Sequence, residues 1–469
     1  MFQRHFSWVA KILILRGLMG VCLVGATPVE LWLTHPEGTA RFQKQGAALE
    51  FNATTRAVPI TVAVDDRQRF QSIEGFGFTL TGGSAMLLRA MSEPARAALL
   101  TELFSTNSTN IGVSYLRLSI GASDLNARVF TYDDLPAGRT DPDLTRFDLG
   151  PDREDVIPVL KEILAINPTL KIMGSPWSAP SWMKSNRDSR GGSLKREWFD
   201  AYARYFVKYV QGMRAEGIPI DAITVQNEPL NPDNNPSMFM SAADQAVFIK
   251  RYLGPAFKET GLATKIICYD HNADHPDYPL AILGDPEAKA FVEGSAFHLY
   301  AGSIDALGRV HKAHPDRSLY FTEQWIGAPG NLGGDLAWHV TELIVGATRN
   351  WCRTVLEWNL AADPNNRPHT ERGGCDRCLG AITVDGDKVV RNPAYYVIAH
   401  ASKFVRPGSE RIGSTAYSGL PNVAFRTPEG RLVLVVLNRE RKPETFSIQC
   451  SLGTLSTTLP GGAVGTYVW

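Results

Sequence analysis

The chain has 469 residues, 44% hydrophobic and 20% charged, the balance of a soluble globular enzyme long enough for a large core and an accessory module. Its 48 Lys and Arg equal its 48 Asp and Glu, so the formal net charge is zero. That argues against a nucleic-acid partner, gives no electrostatic pull toward anionic lipid, and leaves a small or neutral ligand as the expected partner.

At the N-terminus, Arg4, His5, Lys11 and Arg16 flank or interrupt apolar residues ahead of the run from Leu18 to Ala26. This is the pattern of a signal peptide over residues 1–26, cleaved near Ala26, and predicts export to the periplasm or the medium. The run is too short to span a bilayer, and Val21 ahead of Cys22 argues against lipid anchoring at that cysteine. Residues 27–72 are expected to form a linker and one or more strands that join a β-sandwich. No periodicity is visible to about residue 55, whereas 57–64 is rich in β-branched residues and reads as a strand.

From there short apolar runs alternate with helical patterns for more than three hundred residues. The runs lie at 113–118, 170–175, 222–226, 294–298, 318–322 and 354–358. Between them, residues 197–213 carry Trp198, Tyr202, Tyr205, Phe206, Tyr209 and Val210 at helical spacing. Strand and helix in alternation predict an α/β fold with a parallel sheet. Polar residues follow several different strands (Arg117, Trp177, Asn227 and Glu228, Tyr300, Glu323, Trp358), which favours a closed (β/α)8 TIM barrel over an open sheet. The barrel is placed at 73–400. Past it, short strand-like runs separated by Gly and Pro turns predict a β-sandwich over 401–469, completed by the strand from the N-terminal end.

Two strand ends carry carboxylates. Thr224-Val225-Gln226-Asn227-Glu228-Pro229 stops a strand at a proline and leaves Glu228 just beyond it, and Tyr320-Phe321-Thr322-Glu323 ends another. Glycoside hydrolysis needs such a pair, one carboxyl protonated to serve the leaving oxygen and one ionised to attack or to activate water. Either glutamate alone reads equally well as half of a structural ion pair; two in the same strand-end context point to catalysis. Trp177 and Trp358 offer flat faces on which sugar rings stack, while Trp182, Trp198 and Trp338 are expected to be packing residues. Arg117 either keeps a nucleophile ionised or closes a structural salt bridge.

Taken together, Ile73-Glu74-Gly75-Phe76-Gly77, Arg117 with Asp124, Ser175-Pro176-Trp177-Ser178-Ala179-Pro180, Asn227-Glu228-Pro229, Phe321-Thr322-Glu323 and Trp358-Asn359-Leu360-Ala361 resemble glycoside hydrolase family 30, the glucosylceramidase family, from about residue 60 to the end. The resemblance implies a retaining β-glycoside hydrolase without metal or organic cofactor. Glu228 would be its acid/base and Glu323 its nucleophile. It implies that Asp124, Trp177, Asn227 and Trp358 bind the first sugar, and that Arg117 and Tyr300 orient and tune the nucleophile. A glucosylceramidase acting on carbohydrate or glycolipid is the leading expectation, with contact to a substrate-bearing membrane or polysaccharide surface. Endo-β-1,6-glucanase is the alternative, and a non-catalytic glycan-binding protein a remote one. Two departures from the glucosylceramidase pattern bear on that choice: Thr81-Gly82-Gly83 lacks an acidic residue, and the loop Gly373-Gly374-Cys375-Asp376-Arg377-Cys378 is a local variation.

Other signals are read as structural. Cys375 and Cys378 are expected to form a local disulfide rather than half a zinc site, because the remaining cysteines supply no second pair at ligand spacing. His298, His311 and His314 show no metal-binding pattern; 311 and 314 are expected to face solvent, and His298 to support the residues that touch substrate.

Overall fold

The structure, a computed structural model, describes Met1, residues 27–52, Thr55 and residues 58–469. The expected leader, with Cys22, lies outside the described residues apart from Met1. No helix among the described residues is long and apolar enough to cross a membrane.

Eight parallel strands close into a barrel in chain order: β1 (Gly75–Leu80), β2 (Tyr115–Ser119), β3 (Lys171–Ser175), β4 (Ala222–Thr224), β5 (Lys265–Asn272), β6 (Val292–His298), β7 (Ser318–Glu323) and β8 (Cys352–Asn359). Tyr115, Met173, Ala222, Ile267, Ala296, Tyr320 and Leu356, one from each of β2 to β8, form a buried cluster of their own. That layer plugs the barrel, so chemistry is left to the ends of the strands. β1 takes part through small residues: a Cβ at Gly77 would lie 1.9 Å from the Tyr115 carbonyl oxygen, so only glycine lets β1 and β2 pair there.

Six of these strands coincide with the apolar runs of the sequence. β1 is masked by its glycines, and β5 by a polar ending, Asp270-His271-Asn272. The helix expected at 197–213 runs Phe199–Ala215 and buries Tyr202, Tyr205, Phe206, Tyr209, Val210 and Met213, the face its spacing marks. Trp182 and Trp198 pack edge to face with centroids 5.0 Å apart, as expected of core aromatics. Trp338, by contrast, is 39% exposed. His311 and His314 are half-buried instead of solvent-facing, because His311 stacks on Trp351 at 4.0 Å and His314 lies 3.3 Å from the Lys289 ammonium.

The side domain is woven from both ends of the chain. Its sheet runs Gln43–Lys44, Pro28–Thr34, Val464–Val468, Leu432–Leu437, Asn422–Arg426, Glu410–Ser414, Thr61–Ser72, Glu444–Cys450 and Gly453–Leu459. The first N-terminal strand lies at Pro28–Thr34, inside a stretch without visible periodicity, because it is buried on both faces beside Val464–Val468. The next long strand starts four residues later than the 57–64 run and continues to Ser72. This strand serves two partners, pairing through Thr61 to Ala63 with Ser447 to Gln449 and further along with Glu410–Ser414. The last helix on the barrel side, Pro393–Ser402, passes the expected boundary at 400 and is tied to the sandwich through His400, whose ring nitrogens reach Thr466 and Thr34 at 2.9 and 2.8 Å.

Candidate active site

The sequence-marked residues converge at the C-terminal mouth of the barrel around a cation. Arg117, on β2, is fully buried, and each of its nitrogens is engaged. Nε donates to Ser175 Oγ at 3.1 Å, Nη1 to Glu323 Oε2 at 2.5 Å, and Nη2 to Asn227 Oδ1 at 2.6 Å and Asp270 Oδ2 at 2.8 Å. Arg117 thus closes buried ion pairs with both Asp270 and Glu323. Trp177 and Trp358 stack on each other with centroids 5.4 Å apart, and the guanidinium lies 4.8 Å from the Trp177 ring.

Glu323 ends β7, and its second oxygen accepts from the Tyr300 hydroxyl at 3.0 Å. Glu228 lies beyond β4 in the left-handed region, φ 44°, with its N–H donating to the Asp270 carbonyl. Its Oε2 accepts from Asn231 at 2.7 Å and Asn234 at 3.0 Å, and its Oε1 lies 3.3 Å from His298 Nδ1. That same nitrogen is 3.9 Å from Glu323 Oε1, so the two carboxylates face each other across a single ring atom.

Asp270 and His271 carry no mark in the sequence-level reading, yet both belong to this centre. Tyr269 and Asp270 both have left-handed φ, 74° and 73°, where the pairing of β5 with β6 slips by one residue. The bulge re-aims consecutive side chains toward the mouth, the usual service of a bulge beside a functional site. Asp270 accepts from Thr224, Ser175, Thr322, Arg117 and His298, and His271 Nδ1 reaches within 3.8 Å of Glu228 Oε1. A readable signal existed: Lys265 to Asn272 is an apolar run that ends in polar residues, like the strands of Glu228 and Glu323.

Asp124 lies on the loop after β2, 5% exposed, and both departures from the glucosylceramidase pattern pack against its loop. The Gly83 N–H donates to the neighbouring Leu125 carbonyl, and a Cβ at Gly374 would approach the Asp124 carbonyl oxygen to 2.9 Å. Cys375 and Cys378 form a disulfide that packs with Trp177, Trp358 and Leu125, so the variant loop backs the aromatic platform.

Burial raises the Glu228 carboxyl, but the His298 hydrogen bond and charge, His271 and Asn231 outweigh it and bring the pKa down to about 2. Burial acts on Glu323 in the same sense and wins over His298 and Arg117, so that carboxyl is raised. Burial lowers His298, yet the surrounding carboxylates Glu323, Asp270 and Glu228 lift it to about 9. Asp124 is pushed up to about 8 by burial and by the charges of Glu323 and Glu228.

The His298–Glu228 pair should leave a signature in stability. His298 is raised from 6.5 to about 9, so its contribution is complete below pH 6.5 and disappears as pH climbs through 9. Glu228 is depressed from 4.5 to about 2, so its contribution is complete above pH 4.5 and disappears as pH falls through 2. Urea unfolding should therefore show stability falling between pH 6.5 and 9, with a shallower fall in His298→Gln. Equal slopes in the two proteins would contradict the assignment.

A barrel with paired carboxylates and an indole platform at its mouth is the frame of a glycoside hydrolase. Residues 73–405 match the glycosyl hydrolase family 30 TIM-barrel domain and residues 408–467 the family 30 beta sandwich domain. The chain belongs to glycosyl hydrolase family 30. It is 38% identical over 398 residues to an endo-1,6-beta-D-glucanase of Neurospora crassa, covering 81% of each chain. It is 29% identical over 459 residues to the lysosomal acid glucosylceramidase of Mus musculus, covering 92% of this chain and 87% of the relative. A solved endo-beta1,6-glucanase superposes with a TM-score of 0.88 at 34% identity, over 94% of this chain and 99% of that one.

Proposed function

We propose that this glycosidase is a retaining endo-β-1,6-glucanase, with Glu323 as nucleophile and Glu228 as acid/base. The mechanism rests on one observation, the two buried glutamates meeting across His298 Nδ1 while Arg117 and Tyr300 engage opposite oxygens of Glu323. In the first step a Glu323 oxygen bonds to the anomeric carbon as the glycosidic C–O bond breaks, and the leaving oxygen takes a proton from Glu228. Water then attacks the anomeric carbon and gives a proton to Glu228, and the Glu323 carboxylate departs. Before substrate binds that proton is held on His298, 3.3 Å from Glu228 Oε1, and passes to Glu228 as the glycosidic oxygen enters. The charges of His298 and Arg117 oppose the burial that raises the Glu323 pKa, and Tyr300 donates to its other oxygen. Asn227, fixed by Arg117, is placed to meet a sugar hydroxyl, and Trp177 with Trp358 to carry the ring.

The substrate preference draws its support from the relatives: the β-1,6-glucanases are the more similar in sequence, at 34% and 38% identity against 29% for the glucosylceramidase. This reverses the preference drawn from motifs alone, which put the glucosylceramidase first. A polysaccharide substrate calls for an exported enzyme, in keeping with the leader-like composition of residues 1–26.

The test sets gentio-oligosaccharides and β-1,6-glucan beside a fluorescent glucosylceramide, with Glu228→Gln as control. Internal cleavage of the glucan is expected; turnover of the lipid alone would return the assignment to a glucosylceramidase. Glu228→Gln should lose about 10²–10⁴-fold in kcat/KM on the glucan. Its loss should be much smaller on an aryl glucoside whose phenolate departs unaided. Equal losses on both substrates would remove Glu228 from the acid role.

A further inference from the structure

One group at the mouth is left over by the mechanism. His271 is 6% exposed, and its Nδ1 is buried without a hydrogen-bond partner. It points at the same carboxylate oxygen that faces His298: Nδ1 of His271 lies 3.8 Å and Nδ1 of His298 3.3 Å from Glu228 Oε1. One ligand atom from each of the three residues falls within 4.8 Å of the others. We infer that Glu228, His271 and His298 form a binding site for a borderline divalent cation of the zinc class, and that the ion shuts the enzyme by occupying its acid/base.

Donor type, spacing and support all favour such an ion. Two imidazole nitrogens and one carboxylate oxygen suit zinc, nickel or copper far better than magnesium or calcium. Metal–ligand bonds of about 2.0–2.2 Å in a tetrahedron put ligand atoms about 3.3–3.5 Å apart. The His298–Glu228 edge already has that length, the His271–Glu228 edge needs to close by about half an ångström, and the His271–His298 edge, within 4.8 Å, closes as the His271 ring turns inward. The outer partners are those of a metal centre. His298 Nε2 lies 3.1 Å from Asp270 Oδ1, an arrangement that turns the lone pair of Nδ1 toward the site. Asn231 and Asn234 bind the far oxygen of Glu228 and leave Oε1 free to ligate. Other titratable groups face the position: Glu323 Oε1 at 3.9 Å from His298 Nδ1, Tyr300 on that same oxygen, and Arg117 on the other oxygen of Asp270. The carboxylates balance the incoming charge, and the cation displaces the His298 proton. Occupation would block turnover, because Glu228 Oε1 cannot ligate the ion and serve a glycosidic oxygen together.

Binding itself depends only on this geometry; its inhibitory consequence rests on Glu228 being the acid/base. The full-length protein, freed of metal by chelator, is titrated with zinc sulfate at neutral pH by calorimetry and with cobalt(II) by visible absorption. One ion per chain is expected, with cobalt d–d bands and no near-ultraviolet thiolate band of the kind Cys268, Cys352 or Cys450 would add. Affinity should fall at least about tenfold in His271→Asn and in Glu228→Gln, the latter nearly isosteric. Zinc should also inhibit the wild type, with activity restored on chelation. Absence of 1:1 binding, a thiolate band, or unchanged affinity in both variants would overturn the site. Tight binding with undiminished turnover at saturating zinc would overturn the blockade. Failure of metal-free wild type to cleave any β-glucoside would instead count against the function above and leave the binding result standing.

Discussion

Glu323→Gly should abolish hydrolysis of β-glucosides, with kcat down by at least about 10⁴-fold, and azide should restore turnover of an aryl glucoside. Glu323 has no substitute in the site. Its neighbours at that point are Arg117 and Tyr300, a guanidinium and a phenol that donate to it, so neither takes over the attack. Removing the side chain opens a space beside Arg117 that suits a small anion. Azide entering there attacks the face that Glu323 used, with Glu228 still on the opposite side, and the product must be the α-glycosyl azide. NMR of the rescued product reads the stereochemistry directly. A β-glycosyl azide would exchange the roles of the two glutamates, and residual hydrolysis near the wild-type rate would remove Glu323 from the chemistry.

Arg117→Met should damage stability and activity together, and the stability loss is the more diagnostic. The wild-type cation is fully buried against two carboxylates, Asp270 with no exposed side-chain surface and Glu323 with 7%. Deleting one partner of such a pair leaves uncompensated buried charge and costs about 3–5 kcal/mol. Burial raises the Asp270 carboxyl, but Arg117 and His298 hold it far below the ordinary carboxylate range, so the mutant must either keep an exposed penalty or take up a proton. Adding Asp270→Asn to Arg117→Met should recover part of the lost stability, because the orphaned charge goes with it. Activity should not return, since Glu323 still lacks the charge that opposes its burial. Urea unfolding and glucan hydrolysis on the single and double variants separate these effects; a single variant as stable as wild type would mean that Arg117 pays no structural part.

The same residues show where sequence reading succeeds. Glu228, Glu323, Trp177 and Trp358 were legible because each stands at or just past the end of an apolar run, whereas Arg117 lies inside its run and inside β2, a cation among apolar residues. A barrel that plugs its own lumen presents its chemistry toward the strand ends. The tyrosine-rich helix at Phe199–Ala215 was legible because a single buried face repeats every 3.6 residues.

What remained hidden depends on neighbours distant in the chain. Asp270 and His271 enter the site through a register slip between β5 and β6, and a slip belongs to a pair of strands rather than to either one. Pro28–Thr34 shows no alternation because both of its faces are buried, Trp32 against Phe404 near the barrel and Val29, Leu31 and Leu33 in the sandwich core, and those neighbours are mostly distant in the chain. The pKa values of the four carboxylates at the mouth arise the same way, from burial and charges that only folding brings together. By itself the sequence determined the barrel, the sandwich and the strand-end positions of the two glutamates, since periodicity and strand ends are local properties of the chain. Which oxygen faces which nitrogen, and where the proton rests, was decided by tertiary structure alone, because hydrogen bonds and electrostatic forces act on distance in space.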